Sequence, residues 1–328
     1  MNPLRSAVLT GRRLLLAGVV AACLVPALPA LGQKPDSYGH IFIQIDAKPL
    51  AGFASRDPQH RQFGALEFRG GMQLTSTHRD FGGISSIRME ADGERFLAVT
   101  DKGQWLRGRI RYSGSAPVAI ESAEMAPVLA ADGRPITARR WYDTEALAID
   151  GGTAYVAVER VHRILWFDFA KYGMAAPGRP LRVPAEFKRL PSNKGIEGLV
   201  MVPEGLPLAG TLVAISERAL DPAGHIRGFL IGGRDPGTFS IRRTDEFDIT
   251  DVALSPRGDL LILERSFSLL RGPRMRVRRV ALAEVRPGAR VDGPVLIEAD
   301  AGYQIDNMEA LAVHRTGAGE IVLTIVSD

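Results

Sequence analysis

The sequence predicts an all-β fold, a β-propeller of five to six blades, and three observations predict it. Short apolar strands, most of them opened by an acid, recur along the chain. Each is followed closely by a second apolar strand that ends in an acid, and Gly, Pro and Asp crowd the turns between the two. Helical periodicity is scarce throughout, so the repeating unit reads as a β-meander.

Taken from the N-terminus, residues 1–32 hold Arg5, Arg12 and Arg13 and no acid, ahead of an apolar run from Leu14 to Val25. That layout is a secretory signal. Thr10-Gly11-Arg12-Arg13-Leu14-Leu15-Leu16 resembles a twin-arginine leader, which predicts a periplasmic or secreted protein exported already folded. Ala30-Leu31-Gly32 offers small residues for cleavage near Gly32, the preferred reading. Val20-Ala21-Ala22-Cys23 resembles a lipoprotein box, and on that alternative Cys23 becomes a lipid anchor to the envelope. Residues 33–328 then form the mature propeller domain, with no transmembrane span. Cys23 is the only cysteine, which excludes an internal disulfide and a thiolate metal site. Loss of the three leader arginines lowers the formal charge from +4 to +1, so no nucleic-acid partner is expected.

Gly64-Ala65-Leu66-Glu67-Phe68 and Met72-Gln73-Leu74 look like strands and precede the first repeat; they are expected to close the ring with the last blade. The clearest first strands are Thr144 to Asp150, Ile196 to Val202 and Met308 to Val313, with degenerate copies at Gly82 to Ile87 and Thr250 to Ser255. The second strands run Leu97 to Asp101-Lys102, Tyr155 to Glu159-Arg160, Leu212 to Glu217-Arg218, Leu260 to Glu264-Arg265 and Ile321 to Asp328. Their terminal acids are 58, 58, 47 and 64 residues apart, which leaves room for outer strands and loops in each unit. Such meanders have two apolar faces, and radial stacking buries both while leaving short edges. The chain stops at Ser327-Asp328, where the other repeats go on to a base and further strands, so it is expected to be cut inside its last blade.

In an antiparallel hairpin the start of one strand and the end of the next lie at the same end of the sheet. Asp101, Glu145, Glu159, Glu197, Glu217, Glu264, Glu309 and Asp328 should therefore converge at one mouth of the ring. Carboxylates so crowded raise one another's pKa unless cations intervene. Calcium is one such cation, which makes these acids candidate metal ligands; Lys102, Arg160, Arg218 and Arg265 are the others, and are candidate binders of a small anionic or ester substrate. A structural ring of acid–base pairs and a metal or anion site are both consistent with the pattern. His162 and the tryptophans Trp105, Trp141 and Trp166 read as packing residues. The alternating Arg271, Arg274, Arg276, Arg278 and Arg279 read as a solvated strand face, with a phosphate-binding cluster as the alternative. The G-x-S-x-G, G-x-x-x-x-G-K and H-E-x-x-H patterns are absent, which leaves serine-hydrolase, nucleotide and zinc-protease readings without support.

Phe81-Gly82-Gly83-Ile84-Ser85, Thr100-Asp101-Lys102-Gly103, Asp143-Thr144-Glu145-Ala146-Leu147, Glu159-Arg160-Val161-His162-Arg163-Ile164, Asn193-Lys194-Gly195-Ile196-Glu197-Gly198-Leu199 and Asp306-Asn307-Met308-Glu309-Ala310-Leu311 together resemble the phytase-like family described by esterase-like activity. The resemblance runs from about Gly64 to the C-terminus. It implies an exported propeller, with six blades favoured, and a phosphoester or carboxyester hydrolase using calcium. It supplies no catalytic residue. The rival expectation is a binding or scaffold propeller of the cell envelope without turnover.

Overall fold

Residues of each strand alternate between two apolar surroundings, and that alternation builds the architecture. Leu97 and Val99 pack with Leu147 and Val156, whereas Phe96 and Ala98, one position out of phase, pack with Ala310 and Ala312. A sheet with two buried faces needs a neighbour on each side, and a closed ring of sheets provides them. The computed structural model describes residues 39–328, and they form a β-propeller. The leader and Cys23 lie outside the described residues.

Four sheets of four or five strands, antiparallel but for one short edge strand, follow one another in sequence. Blade 1 comprises Ile84–Met89, Arg95–Thr100, Gln104–Ser113 and Ala116–Pro127, with Ile41–Phe42 added at its outer edge. Blade 2 comprises Thr144–Asp150, Thr153–Val158, Arg163–Asp168 and Arg179–Pro180. Blade 3 comprises Ile196–Met201, Thr211–Leu220, Ile226–Gly232 and Gly237–Ile241, the last carrying Arg290–Val291 in parallel. Blade 4 comprises Asp248–Leu254, Asp259–Ser268, Gly272–Ala281 and Val295–Ala299. A fifth unit is the hairpin of Met308–Arg315 and Ile321–Ser327. The first strands of these five units pack side by side in chain order, and Met308–Arg315 returns to Ile84–Met89. The described residues thus supply five innermost strands, the lower figure of the expected range.

The N-terminal segment joins that closure by packing. Among the described residues Ile321–Ser327 pairs only with Met308–Arg315, while Asp46–Pro49 pairs with Met72–Thr75 and Gln62–Phe63 with Leu66–Glu67. Ile43, Ile45, Met72 and Leu74 share an apolar cluster with Ala310, Ala312 and Val326. Phe53, Phe63 and Phe68 pack with Tyr303, Leu323 and Ile325. These side chains cover the hairpin where other blades have outer strands.

Arg88, on the first strand of blade 1, crosses the ring axis. Its guanidinium donates to both oxygens of Asp251 on blade 4, at 3.0 Å each. It also donates to the carbonyls of Leu199, Leu311 and Val252 at 2.9–3.0 Å, so one side chain ties together four of the innermost strands. Asp251 also accepts from the Ser86 hydroxyl and from the backbone N–H groups of Val252 and Leu311. Burial raises the Asp251 pKa, against the pull of Arg88 and those donors.

Candidate functional site

One backbone device recurs in all five units and sets the site. Each first strand has an irregularity at its second or third residue, skipping one residue of the pairing: Ser85, Glu145, Glu197, Thr250 and Glu309. A bulge of this kind leaves the extra residue unpaired and re-aims its side chain. Opposite it, the second strand reaches Asp101, Glu159, Glu217, Arg265 and Asp328. In blades 1, 2 and 3 and the fifth unit the N–H of that residue donates to the carbonyls of Gly83, Asp143, Gly195 and Asn307 respectively. In blade 4 the equivalent pairing joins Asp248 and Arg265. Two five-membered rings of side chains therefore stand at the same mouth.

Residues of the second ring lean toward the following blade, because they lie in phase with the apolar residues facing it. Glu159 accepts from the Gly195 N–H of blade 3 at 2.8 Å. Arg265 donates to Asn307 and Glu309 of the fifth unit and approaches Glu217 of blade 3 at 3.7 Å. Asn307 donates to Glu309 at 2.7 Å and to Asp328 at 3.2 Å. Glu159, Glu197 and Glu217, all buried, each offer one oxygen within 4.8 Å of the other two. Glu217 also accepts from Lys194 at 2.7 Å. The charged groups that act most strongly on Glu197 are carboxylates: Glu145, Glu217, Glu159 and Glu309.

The electrostatics follow from burial plus like charge. Loss of water is the largest effect on Glu145, whose pKa is pushed up to about 8; repulsion from Glu159 and Glu309 adds to it and a hydrogen bond from Ser85 opposes it. Glu309 is pushed up to about 7, again chiefly by burial, with Arg265 pulling the other way. Glu197 is raised well above the ordinary carboxylate range, and Glu159 and Asp101 are raised by burial.

Of the expected ligands, Glu145, Glu159, Glu197, Glu217 and Glu309 come together, with Asp101 and Asp328 further round the ring. Glu264 does not join them. It pairs with Ile249, one residue short of the ring position, so its side chain takes the opposite face of the sheet and Arg265 stands where the other units carry an acid. There Glu264 is fully buried between Arg276 and Arg278, with contacts of 2.7–3.2 Å. The arginine stretch is corrected at the same point. Arg276 and Arg278 are buried rather than solvated, because Arg276 lies directly across from Glu264, and Arg278 also reaches Asp292.

The expected bases divide likewise. Arg160 pairs with Asp143 at 2.7 Å, and Arg218 with Asp248 at 3.1 Å, so neither neutralises the acid beside it in sequence. The Lys102 ammonium lies near the carbonyls of Arg79 and Phe81. Only Arg265 enters the carboxylate cluster, and Lys194, absent from the sequence expectation, joins it from the turn before Gly195. Its signal was its place three residues ahead of Glu197 in a matching stretch. Trp105 is core, edge-on to Phe167, and Trp141 and Trp166 lie under Arg163 and Arg179. His162 takes a left-handed conformation closing the short helix Glu159–Val161.

The profile of the phytase-like family, described as "Esterase-like activity of phytase", matches residues 79–328. No curated protein matches the sequence. Among solved structures, the chain is similar to the glutaminyl cyclase of Myxococcus xanthus, at 15% identity over 74% of this chain and 90% of that one, with a TM-score of 0.38. It is also similar to the Cps50 (Swd1) β-propeller domain of Myceliophteria thermophila, at 10% identity over 76% of this chain and 64% of that one, with a TM-score of 0.36.

Proposed function

The chain belongs to the phytase-like family, and from that premise we propose an exported hydrolase of phosphoesters or carboxyesters that works at the carboxylate mouth of the ring. The observation that carries this reading is the convergence of Glu159, Glu197 and Glu217 within 4.8 Å at buried positions. Three hard oxygen donors with an excess of negative charge fit a divalent cation such as calcium and suit a soft metal poorly. Glu159, Glu197 and Glu217 would hold the ion. When bound, it would supply Lewis acidity toward a phosphoryl or carbonyl oxygen.

The protein's own groups supply the rest. Arg265 and Lys194, both already at Glu217, can balance the charge of an anionic substrate, and Arg265 presents a planar fork suited to phosphate or carboxylate. Glu145, with its raised pKa, holds a proton near neutrality beside Glu159 and is placed to exchange it with a leaving group. Arg160, Arg218 and Lys102 line the outer rim as secondary contacts for a small anionic or ester substrate. The leader supports a periplasmic or extracellular setting for this activity, with anchoring at Cys23 as the alternative.

The test is a calcium titration of the protein that follows melting temperature together with hydrolysis of a generic phosphoester and a short acyl ester. Stabilisation with turnover, abolished by chelator and reduced at least tenfold by Glu159→Gln or Glu197→Gln, is the expected result. Full activity in chelator removes the cation from the mechanism. A second reading, a non-catalytic propeller that binds an envelope partner, is favoured by the ion pairs of Lys194 and Arg265 with Glu217; calcium that neither stabilises nor activates would select it.

A further inference from the structure

Blades 3 and 4 depart from the others at the mouth, the second strand of blade 3 running past Glu217 to Leu220. In blades 1 and 2 and the fifth unit the second strand ends at Thr100, Val158 and Ser327, just short of the ring residue. In blade 4 it continues past Arg265 to Ser268, turns through Leu269, Leu270 and Arg271, and returns from Gly272. Phe267 pairs with Pro273 and Ser268 with Gly272, so the extension is a regular hairpin. At roughly 3.3 Å per residue its tip stands on the order of 10 Å beyond Arg265, on the side of the ring where the carboxylates gather.

That tip is apolar and bare. Phe267 is 71% exposed, Leu269 94% and Leu270 98%, and no other large hydrophobic side chain on the described surface is as exposed as the two leucines. Isolated exposed apolar residues are ordinary, whereas three on one projecting turn need an apolar partner. The hairpin's charge names the partner. From Arg265 to Arg276 it carries four arginines and no acid; Arg265, Arg274 and Arg276 are held by Glu309, Glu298 and Glu264, which leaves Arg271, at the turn itself, with no ion pair among the described residues. Apolar side chains at a tip with one unpaired arginine beside them match a bilayer boundary, where the apolar groups pass below the headgroups and the cation meets lipid phosphate. Leu269 and Leu270 are too bare to form the wall of a pocket for a small ligand, which would bury most of its own surface.

We propose that the blade 4 hairpin is a lipid-surface anchor: Phe267, Leu269 and Leu270 enter an anionic bilayer, and Arg271 pairs with its headgroups. The inference stands apart from any catalytic role for the mouth. Because the tip residues touch little else, replacing them leaves the fold intact.

The experiment uses the full chain with vesicles of phosphatidylglycerol and phosphatidylcholine. Flotation of wild type should exceed that of Leu269→Ser/Leu270→Ser at least tenfold at matched circular dichroism, and any contribution of residues 1–32 is common to both. A second readout is Leu269→Trp, whose added indole emission should shift to the blue and be quenched by brominated lipid chains. Arg271→Gln should weaken binding several-fold on anionic vesicles and leave it unchanged on purely zwitterionic ones. Equal flotation of wild type and the double variant overturns the proposal, as does added emission in the Leu269→Trp variant that brominated lipid leaves unchanged. A tip that alters the KM of a soluble ester with no change in flotation assigns the hairpin to substrate and overturns it too.

Discussion

Single residues in this ring are constrained by what their neighbours lack. Glu197 is buried among carboxylates, so its charge is unfavourable until a cation arrives. Glu197→Gln should therefore raise the melting temperature of the calcium-free protein and weaken calcium binding at least tenfold, measured by scanning and titration calorimetry. A variant less stable than wild type in both conditions would contradict this account of the site. Asp251 presents the opposite case, a buried acid whose partner Arg88 depends on it. Asp251→Asn leaves a guanidinium uncompensated among the backbone carbonyls of the channel, and should cost about 3–5 kcal/mol in denaturant unfolding. The pairing itself carries no sequence signal: Arg88 follows the degenerate copy Gly82 to Ile87 and Asp251 lies in the other, and a charge inside an inner strand acquires meaning only once another strand brings its counter-charge across the axis.

At the scale of the strand, phase decides fate. Glu264 resembles Glu159 and Glu217 in sequence because each ends an apolar run and precedes an arginine. A shift of one residue sends a strand side chain to the other face, and the shift is set by pairing with the preceding strand, which the run itself does not reveal. Glu264→Gln should then leave calcium affinity within a factor of two while lowering stability by about 3–5 kcal/mol, since Arg276 and Arg278 lose their common partner. The same variant would lose affinity for calcium if Glu264 belonged to the site. Close approach of inner strands gives a second constraint. A Cβ on Gly198 would lie 2.5 Å from Val252 Cγ1 on blade 4, so Gly198→Ala should destabilise the blade 3–blade 4 contact by about 1–3 kcal/mol, read as a lowered midpoint in urea with unchanged slope.

Across the whole molecule, the mouth makes stability depend on pH. Glu145 moves from 4.5 to about 8 and Glu309 from 4.5 to about 7 on folding, so the folded chain holds protons that the unfolded chain releases. Their contribution is fully present below about pH 4.5 and is lost as pH rises through about 7 and then 8. Calcium-free protein should accordingly lose melting temperature between about pH 5 and 8, and saturating calcium should flatten that slope by compensating the carboxylates. A slope unchanged by calcium would mean that the cation does not reach the ring. No helix among the described residues is long and apolar enough to cross a membrane.

Much of this protein is written locally. The alternation of apolar residues, the turns and the recurrence of acids at strand starts and ends depend on neighbours in sequence, and they are enough to specify meanders that must stack and acids that must share an end. Glu145, Glu159, Glu197, Glu217 and Glu309 were legible for that reason. The partners of those acids were not. Lys194 and Arg265 reach Glu217 while Arg160 and Arg218 turn to Asp143 and Asp248, because an ion pair is settled by distances of a few ångströms between blades and by bulges that re-aim one side chain in each. The sequence alone determined which residues could meet; the ring, by fixing register and phase between strands far apart in the chain, decided which of them do.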